Sequence, residues 1–275
     1  MQTTPTDFDS PLGKSVHYVD HYAPELLFSI ARSTARHEIG VTDTLPFTGE
    51  DVWNAYELSW LGPKGKPVVA LGRFRVPAGT PNLIESKSLK LYLNSFNQTS
   101  FPNEDAVRSL LAKDLSAAAG GKVGVEIFSR ASGAAFAPPE GDSLDVLDID
   151  CGTYSPAPEF LRVLDGPVVE KTVHSRLLKS NCPVTCQPDW GTLVIRYRGN
   201  PIDAPGLLRY IVSFRKHNSF HEHCVERIYC DILRRCAPEA LAVHARYTRR
   251  GGLDINPFRS NGEFPPPGGQ REERQ

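Results

Sequence analysis

No stretch of this chain is apolar for long enough to cross a bilayer, and the opening residues, MQTTPTDFDSPLGK, lack the apolar core of a secretory signal. A cytoplasmic setting without a membrane partner is therefore expected. An excess of either charge is also missing. Lys plus Arg number 31 against 32 Asp plus Glu, a net charge of −1, so no bulk positive field draws in nucleic acid. Cysteine is sparse: six in 275 residues cannot make a disulfide scaffold, and reduced thiols are expected. No Cys-x2-Cys pair occurs among Cys182-x3-Cys186, Cys224-x5-Cys230 and Cys230-x5-Cys236, and FHEHC at 220–224 is not a His-Glu-x2-His helix motif. Those spacings argue against a zinc ribbon or finger, and no metal ligand set is assigned. Neither Gly-x-Gly-x-x-Gly nor Gly-x4-Gly-Lys-Ser/Thr is present, so any nucleotide cofactor binds without a Rossmann or P-loop fingerprint.

What is present begins with 40% hydrophobic and 23% charged residues, an ordinary globular balance at a length that suits two domains or one large one. Two segments repeat: LYLNSFNQTSF (91–101) and RYIVSFRKHNSF (209–220) share Tyr, an aliphatic residue, Ser-Phe and a later Phe. Each runs into an amphipathic helix. The first has Asn103 as N-cap and a stripe of Val107, Leu110, Leu111 and Leu115, and the second has Val225, Ile228, Tyr229, Ile232 and Leu233. Alternating strands follow (Val123, Val125, Ile127; Leu241, Val243, Ala245, Tyr247), and strand-like runs precede at 67–76 and 191–199. Strands and helices thus segregate within each half, which predicts an α+β fold with antiparallel sheets. GTYSPAPEF (152–160) is the expected seam, and PPPGGQREERQ (265–275) is expected to be a mobile end.

The chemistry concentrates in KSNCPVTCQPDWG (179–191). An ordinary thiol is only ~3% ionised at neutral pH, so a nucleophilic Cys182 needs a cationic or hydrogen-bonding neighbour, for which Lys179 and His221 are candidates. Asp189 would lie roughly 23 Å away along an extended strand. Pro183 and Pro188 instead favour a chain that doubles back and shows thiol and carboxyl to one ligand. A buried structural thiol and a plain Asp-Trp-Gly turn remain the bland alternatives. Glu85, Lys87 and Lys90 in NLIESKSLKLYLN (82–94) read either as a solvated helix start or as phosphate or base recognition. RYTRRGGLDINP (246–257) gathers arginines before Gly-Gly, a surface turn or a phosphate contact. His221-Glu222 opens the second helix, where a carboxylate is favourable in any case.

Together these segments resemble the NADPH-dependent 7-cyano-7-deazaguanine reductases, the nitrile reductases of queuosine biosynthesis. SNCPVTCQPDWG is similar to the family's catalytic segment, ESKSLKLYLNSF to its signature motif, and FHE and RYTRRGG to its substrate and cofactor segments, over about residues 45–261. The signature motif stands in the first half and Cys182, Asp189 and His221-Glu222 in the second, which resembles the long, bimodular subtype. The second half, GLLRYIVSF, has lost Glu-Ser-Lys.

The resemblance implies two tandem tunnelling-fold (T-fold) modules, each antiparallel strands, two helices and strands. The expected boundaries are an N-terminal extension over 1–40, a module over 41–158, a second over 159–264 and the tail at 265–275. It implies Cys182 as nucleophile forming a covalent thioimide with the nitrile, Asp189 as general acid, and two NADPH per turnover to reach the 7-aminomethyl product. Substrate contacts fall to Ile84, Glu85, Ser86, His221 and Glu222, and NADPH contacts to Ser86, Lys87, Arg250 and Gly251. Cys186 is expected to pack or to be a redox partner of Cys182. A homodimer without nucleic acid is implied. The alternatives are another T-fold purine or pterin enzyme, such as a zinc-dependent cyclohydrolase, and a catalytically silent purine-binding protein.

Overall fold

A computed structural model describes residues 18–128 and 136–275, so part of the extension expected at 1–40 lies outside the described residues. The elements are β1 (Ser29–Ala31), α1 (Arg32–Glu38), β2 (Thr48–Leu61), β3 (Pro67–Pro77), β4 (Asn82–Ile84), α2 (Ser86–Asn94), α3 (Glu104–Ala119), β5 (Gly124–Phe128), β6 (Asp142–Ser143), β7 (Val169–Asn181), β8 (Pro188–Gly199), α4 (Ala204–Ser213), α5 (His221–Cys236), β9 (Ala240–Tyr247) and β10 (Leu253–Ser260). The class is α+β, as the segregated pattern predicts.

Two compact units divide the chain, and neither is continuous in sequence. One comprises Met1–Thr34, Asp51–Gly133 and Arg249–Asp254, and the other Ala35–Glu50, Ala134–Thr248 and Ile255–Gln275. Residues 152–160, read as a seam, lie wholly inside the second unit. There the N–H of Ala157 donates to Ser213 Oγ of α4 at 3.1 Å, and Leu161 is buried. The proline-rich composition marks a turn of 3-10 helix over Pro158–Phe160 rather than a linker.

The first unit orders its main strands β5-β3-β2 and adds an antiparallel β1–β4 ribbon. Its α3 starts and stops where local chemistry dictates. Asn103 Oδ1 accepts the Ala106 N–H at 2.8 Å, and Gly120 ends the helix at φ 72°, a left-handed conformation that costs glycine little. Val107, Leu111 and Leu115 of the expected stripe are buried, and Leu110 is half-buried. The second unit orders its strands β10-β9-β8-β7-β6, antiparallel except for the β6–β7 pair. Residues 189, 191, 193, 195, 197 and 199 of β8 alternate as a buried face, and α5 packs on the neighbouring β9.

The repeat seen in the sequence recurs in atomic detail in each unit. In α2, Tyr92 donates its hydroxyl to Asp114 Oδ2 at 2.7 Å, Ser95 Oγ bonds the Tyr92 carbonyl at 2.6 Å, and the Tyr92 and Phe96 rings meet edge-on at 5.2 Å. In α4, Tyr210, Asp231, Ser213 and Phe214 reproduce the arrangement at 2.7, 2.6 and 5.2 Å. Ser95 and Ser213 also receive the N–H groups of Ala23 and Ala157, each followed by Pro-Glu and a turn of 3-10 helix. That Ala-Pro-Glu match escaped the sequence reading because it lies far from the motif it touches.

The tail is not the mobile end its composition suggests. Thr192 Oγ1 donates to Glu272 Oε2 at 2.8 Å, and Gln275 Nε2 donates to Asn256 Oδ1 at 2.6 Å. Glu272 is 2% exposed. Proline and glycine here shape a segment laid over the second unit, where hydrogen bonds compensate for its thin apolar content.

Candidate active site

The stretch from Lys179 to Gly191 forms the closed end of the β7–β8 hairpin. Ser180 stands opposite Asp189 and Asn181 opposite Pro188, so the doubling-back expected from the two prolines is observed. The link is stapled at both ends: the Cys182 N–H donates to the Gln187 carbonyl at 2.9 Å, and the Cys186 N–H donates to the Cys182 carbonyl at 3.0 Å. Cys186 takes φ 55°, the left-handed region that L side chains seldom enter. Cys182 is 3% exposed and Asp189 6%. Cys186 is an exposed free thiol, so the packing role weighed for it does not hold.

A β-bulge sets which residues point toward α5. Ser175 pairs with Leu193 but Leu178 with Gly191, so Arg176 and Leu177 together oppose Thr192 alone. The two oxygens of Asp145 hold the bulge, accepting from Ser175 Oγ at 2.6 Å and the Arg176 N–H at 2.8 Å. Beyond it, Leu178 and Ser180 are buried, whereas Arg176 and Leu177 are exposed.

The segment leading into α5 is stitched to this hairpin. The Asn181 N–H donates to the His217 carbonyl at 2.8 Å, the Ser219 N–H to the Asn181 carbonyl at 3.0 Å, and Asn181 Nδ2 to Asn218 Oδ1 at 2.9 Å. Lys179 Nζ donates to Asn181 Oδ1 at 2.5 Å and to the Arg215 carbonyl at 2.8 Å. Burial, then the nearby Arg215 cation, lower the Lys179 pKa, with Asp189 pulling the other way. Of the two activators weighed for the thiol, Lys179 is thus committed to scaffolding. His221 opens α5 and brings Nε2 to 3.7 Å from Asp189 Oδ1. Glu222, in the first turn, is 2% exposed. The sequence reading missed Cys224 and Ser180, which line this face; burial drives the Cys224 pKa up to about 12 and keeps it a neutral thiol.

Ile84, Glu85, Ser86, Lys87, Arg250 and Gly251 all belong to the first unit. Glu85 is fully buried, not the solvated helix start considered above. As N-cap of α2, its carboxylate accepts from the N–H groups of Lys87 at 2.9 Å and Ser88 at 2.8 Å. The Arg-Arg-Gly-Gly turn is held by β2. The Tyr56 N–H donates to the Gly252 carbonyl at 2.9 Å, Arg249 lies 4.4 Å over the Tyr56 ring, and Glu57 pairs with Lys90 of α2. Gly251 and Gly252 take φ 61° and 78°, and a side chain at Gly252 would strike the Glu57 carboxylate, 2.6–2.9 Å from its Cβ. Lys87, Arg249 and Arg250 are the cationic side chains of these two segments. Among the described residues no group of three or more His, Cys, Asp or Glu could hold a metal ion.

Comparison with known proteins places this geometry in context. Residues 18–127 match the family model described as "Nitrile reductase, 7-cyano-7-deazaguanine-reductase N-term", and residues 188–265 match "QueF-like protein". The chain is similar to the NADPH-dependent 7-cyano-7-deazaguanine reductase of Dechloromonas aromatica (strain RCB), 64% identical over 269 residues, 97% of this chain and 95% of that one. It is 57% identical over 269 residues to the reductase of the same description from Bordetella bronchiseptica (strain ATCC BAA-588 / NCTC 13252 / RB50), covering 97% and 98%. A crystal structure of the archaeosine synthase QueF-Like in the apo form overlaps 37% of this chain and 100% of its own, at 14% identity and a TM-score of 0.32, too slight to bear on the fold.

Proposed function

Because the chain belongs to the 7-cyano-7-deazaguanine reductase family, we propose that Cys182 and Asp189 carry out its nitrile reduction. The activity is that of an NADPH-dependent oxidoreductase, converting 7-cyano-7-deazaguanine to its 7-aminomethyl form in queuosine biosynthesis. The observation that carries the residue assignment is the hairpin end itself: Cys182 follows directly on the Asn181–Pro188 pair, one pair beyond Ser180–Asp189, with His221 3.7 Å from the carboxylate.

Cys182 adds as thiolate to the nitrile carbon, forming a C–S bond while one π-pair moves to nitrogen. Asp189, protonated, gives its proton to that nitrogen, and the product is a thioimide on Cys182. NADPH, when bound, supplies hydride, and the four electrons between nitrile and primary amine require two equivalents. The C–S bond breaks between the two reductions, returning the pair to Cys182. Ser86, Lys87, Arg250 and Gly251 hold the cofactor, Lys87 and Arg250 as phosphate partners. Glu222 accepts hydrogen bonds from the deazaguanine edge, His221 contacts substrate beside it, and Ile84, Glu85 and Ser86 of the first unit are further substrate contacts. The Glu85 carboxylate keeps lone pairs beyond those used in capping.

The matching Tyr–Asp–Ser clusters of α2–α3 and α4–α5 support two tandem T-fold modules, and a homodimer is the assembly that reading expects. Intact mass of protein mixed with 7-cyano-7-deazaguanine, without NADPH, tests the chemistry. An adduct of the substrate's mass in the wild type and none in Cys182→Ala is the expected result. Its absence from active protein overturns the assignment.

A further inference from the structure

Gly191 closes the Asp-Trp-Gly motif without any demand for a special backbone conformation, since its φ does not lie in the left-handed region. Space is what it provides. Gly191 on β8 is the register partner of Tyr247 on β9, and a Cβ there would stand 3.2 and 3.3 Å from ring atoms Cδ1 and Cε1 of Tyr247. The aromatic ring therefore presses on the place a side chain at 191 would take, and even a methyl group there would push it by a few tenths of an ångström. Asp189, two residues earlier on the same strand, shares that face of the sheet.

The same ring touches His221, with ring centroids 4.0 Å apart and planes at 72°. Tyr247 is 1% exposed, so its ring has nowhere else to go. Its hydroxyl is buried near Cys224 and Ser180 but in hydrogen-bond geometry with neither. The contact that is well formed is the apolar one.

We propose that Tyr247, seated on Gly191, is a positioning residue that holds the His221 imidazole toward Asp189, and that its ring rather than its hydroxyl does so. The inference rests on Asp189 as the proton donor proposed above. It also gives the glycine of Asp-Trp-Gly a reason that turn chemistry does not supply. A reacting group displaced by about 1 Å loses on the order of a hundredfold in rate, which sets the scale of the effect.

The test compares Tyr247→Phe, Tyr247→Leu and Gly191→Ala for turnover, for the KM of NADPH, and for the imidazole proton shifts of His221 by NMR. Tyr247→Phe is expected to stay within about threefold of wild type, whereas Tyr247→Leu and Gly191→Ala lose roughly 10- to 100-fold in kcat with an unchanged KM for NADPH. The His221 shifts should move in the latter two and stay put in the first, a pattern that general destabilisation does not produce. Should Tyr247→Leu fail to fold, Gly191→Ala, which adds one methyl group beneath the ring, decides alone. Wild-type turnover in Gly191→Ala, or a loss in Tyr247→Phe as deep as in Tyr247→Leu, overturns the proposal. Failure of the adduct in wild-type protein would instead strike the chemistry proposed for Cys182, leaving the NMR comparison to judge Tyr247.

Discussion

His221 Nε2 lies 3.7 Å from Asp189 Oδ1, at side chains only 14% and 5% exposed, and the two come from a helix start and a strand that only the tertiary fold brings together. In the mechanism proposed above, Asp189 gives its proton to a nitrogen placed beside Cys182. Asp189→Asn, nearly isosteric, should therefore lower the reduction rate by about 10²- to 10⁴-fold with substrate binding largely kept. NADPH oxidation at saturating substrate, set against substrate binding by calorimetry, reads both. Equal rates in variant and wild type would assign the proton to another group.

Lys87→Ala separates the proposed cofactor contact from the proposed nucleophile. Adduct formation needs no hydride and should proceed unchanged. The apparent NADPH affinity should fall roughly 10- to 150-fold, the value of a charge-assisted contact of about 1.5–3 kcal/mol. Titration of turnover against NADPH, beside intact mass without it, gives the two numbers, and an unaltered NADPH curve removes Lys87 from the site.

Glu226 in the middle of α5 accepts from Arg36 Nε at 2.9 Å and Nη2 at 2.8 Å, and from Arg259 Nη2 at 2.8 Å, all three side chains being buried. Removing the shared anion leaves two buried guanidinium groups without it. Glu226→Ala should cost about 3–5 kcal/mol in stability, seen as a lowered urea midpoint. A change below about 1 kcal/mol would mean that water or another acid replaces it.

His217 is half-buried against Phe214, and the partial loss of water, aided by Arg227, holds its pKa down to about 4 from 6.5. The folded protein thus refuses a proton that the unfolded chain accepts below pH 6.5. Its contribution is whole above that pH and is lost as pH falls through about 4, to a limit of roughly 3 kcal/mol. His244, held down to about 3, acts in the same sense over a wider window. His217→Leu should flatten the fall in melting temperature between pH 6.5 and 4. A slope identical to wild type would show that His217 is charged in the native state.

Much of this was readable beforehand because it depends on near neighbours in sequence. The hairpin followed from alternation on either side of Cys182 together with Pro183 and Pro188, and α3 from Asn103 and its stripe. What stayed hidden depends on burial and long-range pairing. Glu226 and Arg259 look like surface charges in a chain of balanced sign, and Glu85 looks like a solvated cap. Both faces of β9 are covered, so its alternation says nothing of which side meets His221, and Tyr247 was read only as strand. The tail misled because proline and glycine signal a lack of regular structure, while its anchoring rests on the polar contacts of Arg271, Glu272, Arg274 and Gln275.

The doubled residue at Arg176–Leu177 acts as a phase shift written into one strand. Upstream, odd-numbered residues of β7 face the helices; downstream, even-numbered ones do, which is how Ser180 comes to stand beside Asp189. Deleting either residue would restore unbroken alternation, so Ser180 would still stand opposite Asp189 and only the local bend would go. Sheet rims ordinarily absorb small insertions and losses without consequence. Here too the facing of Ser180 would survive a one-residue loss, so over evolutionary time this exposed stretch should tolerate one codon fewer only where Asp145, which grips the bulge, changes with it.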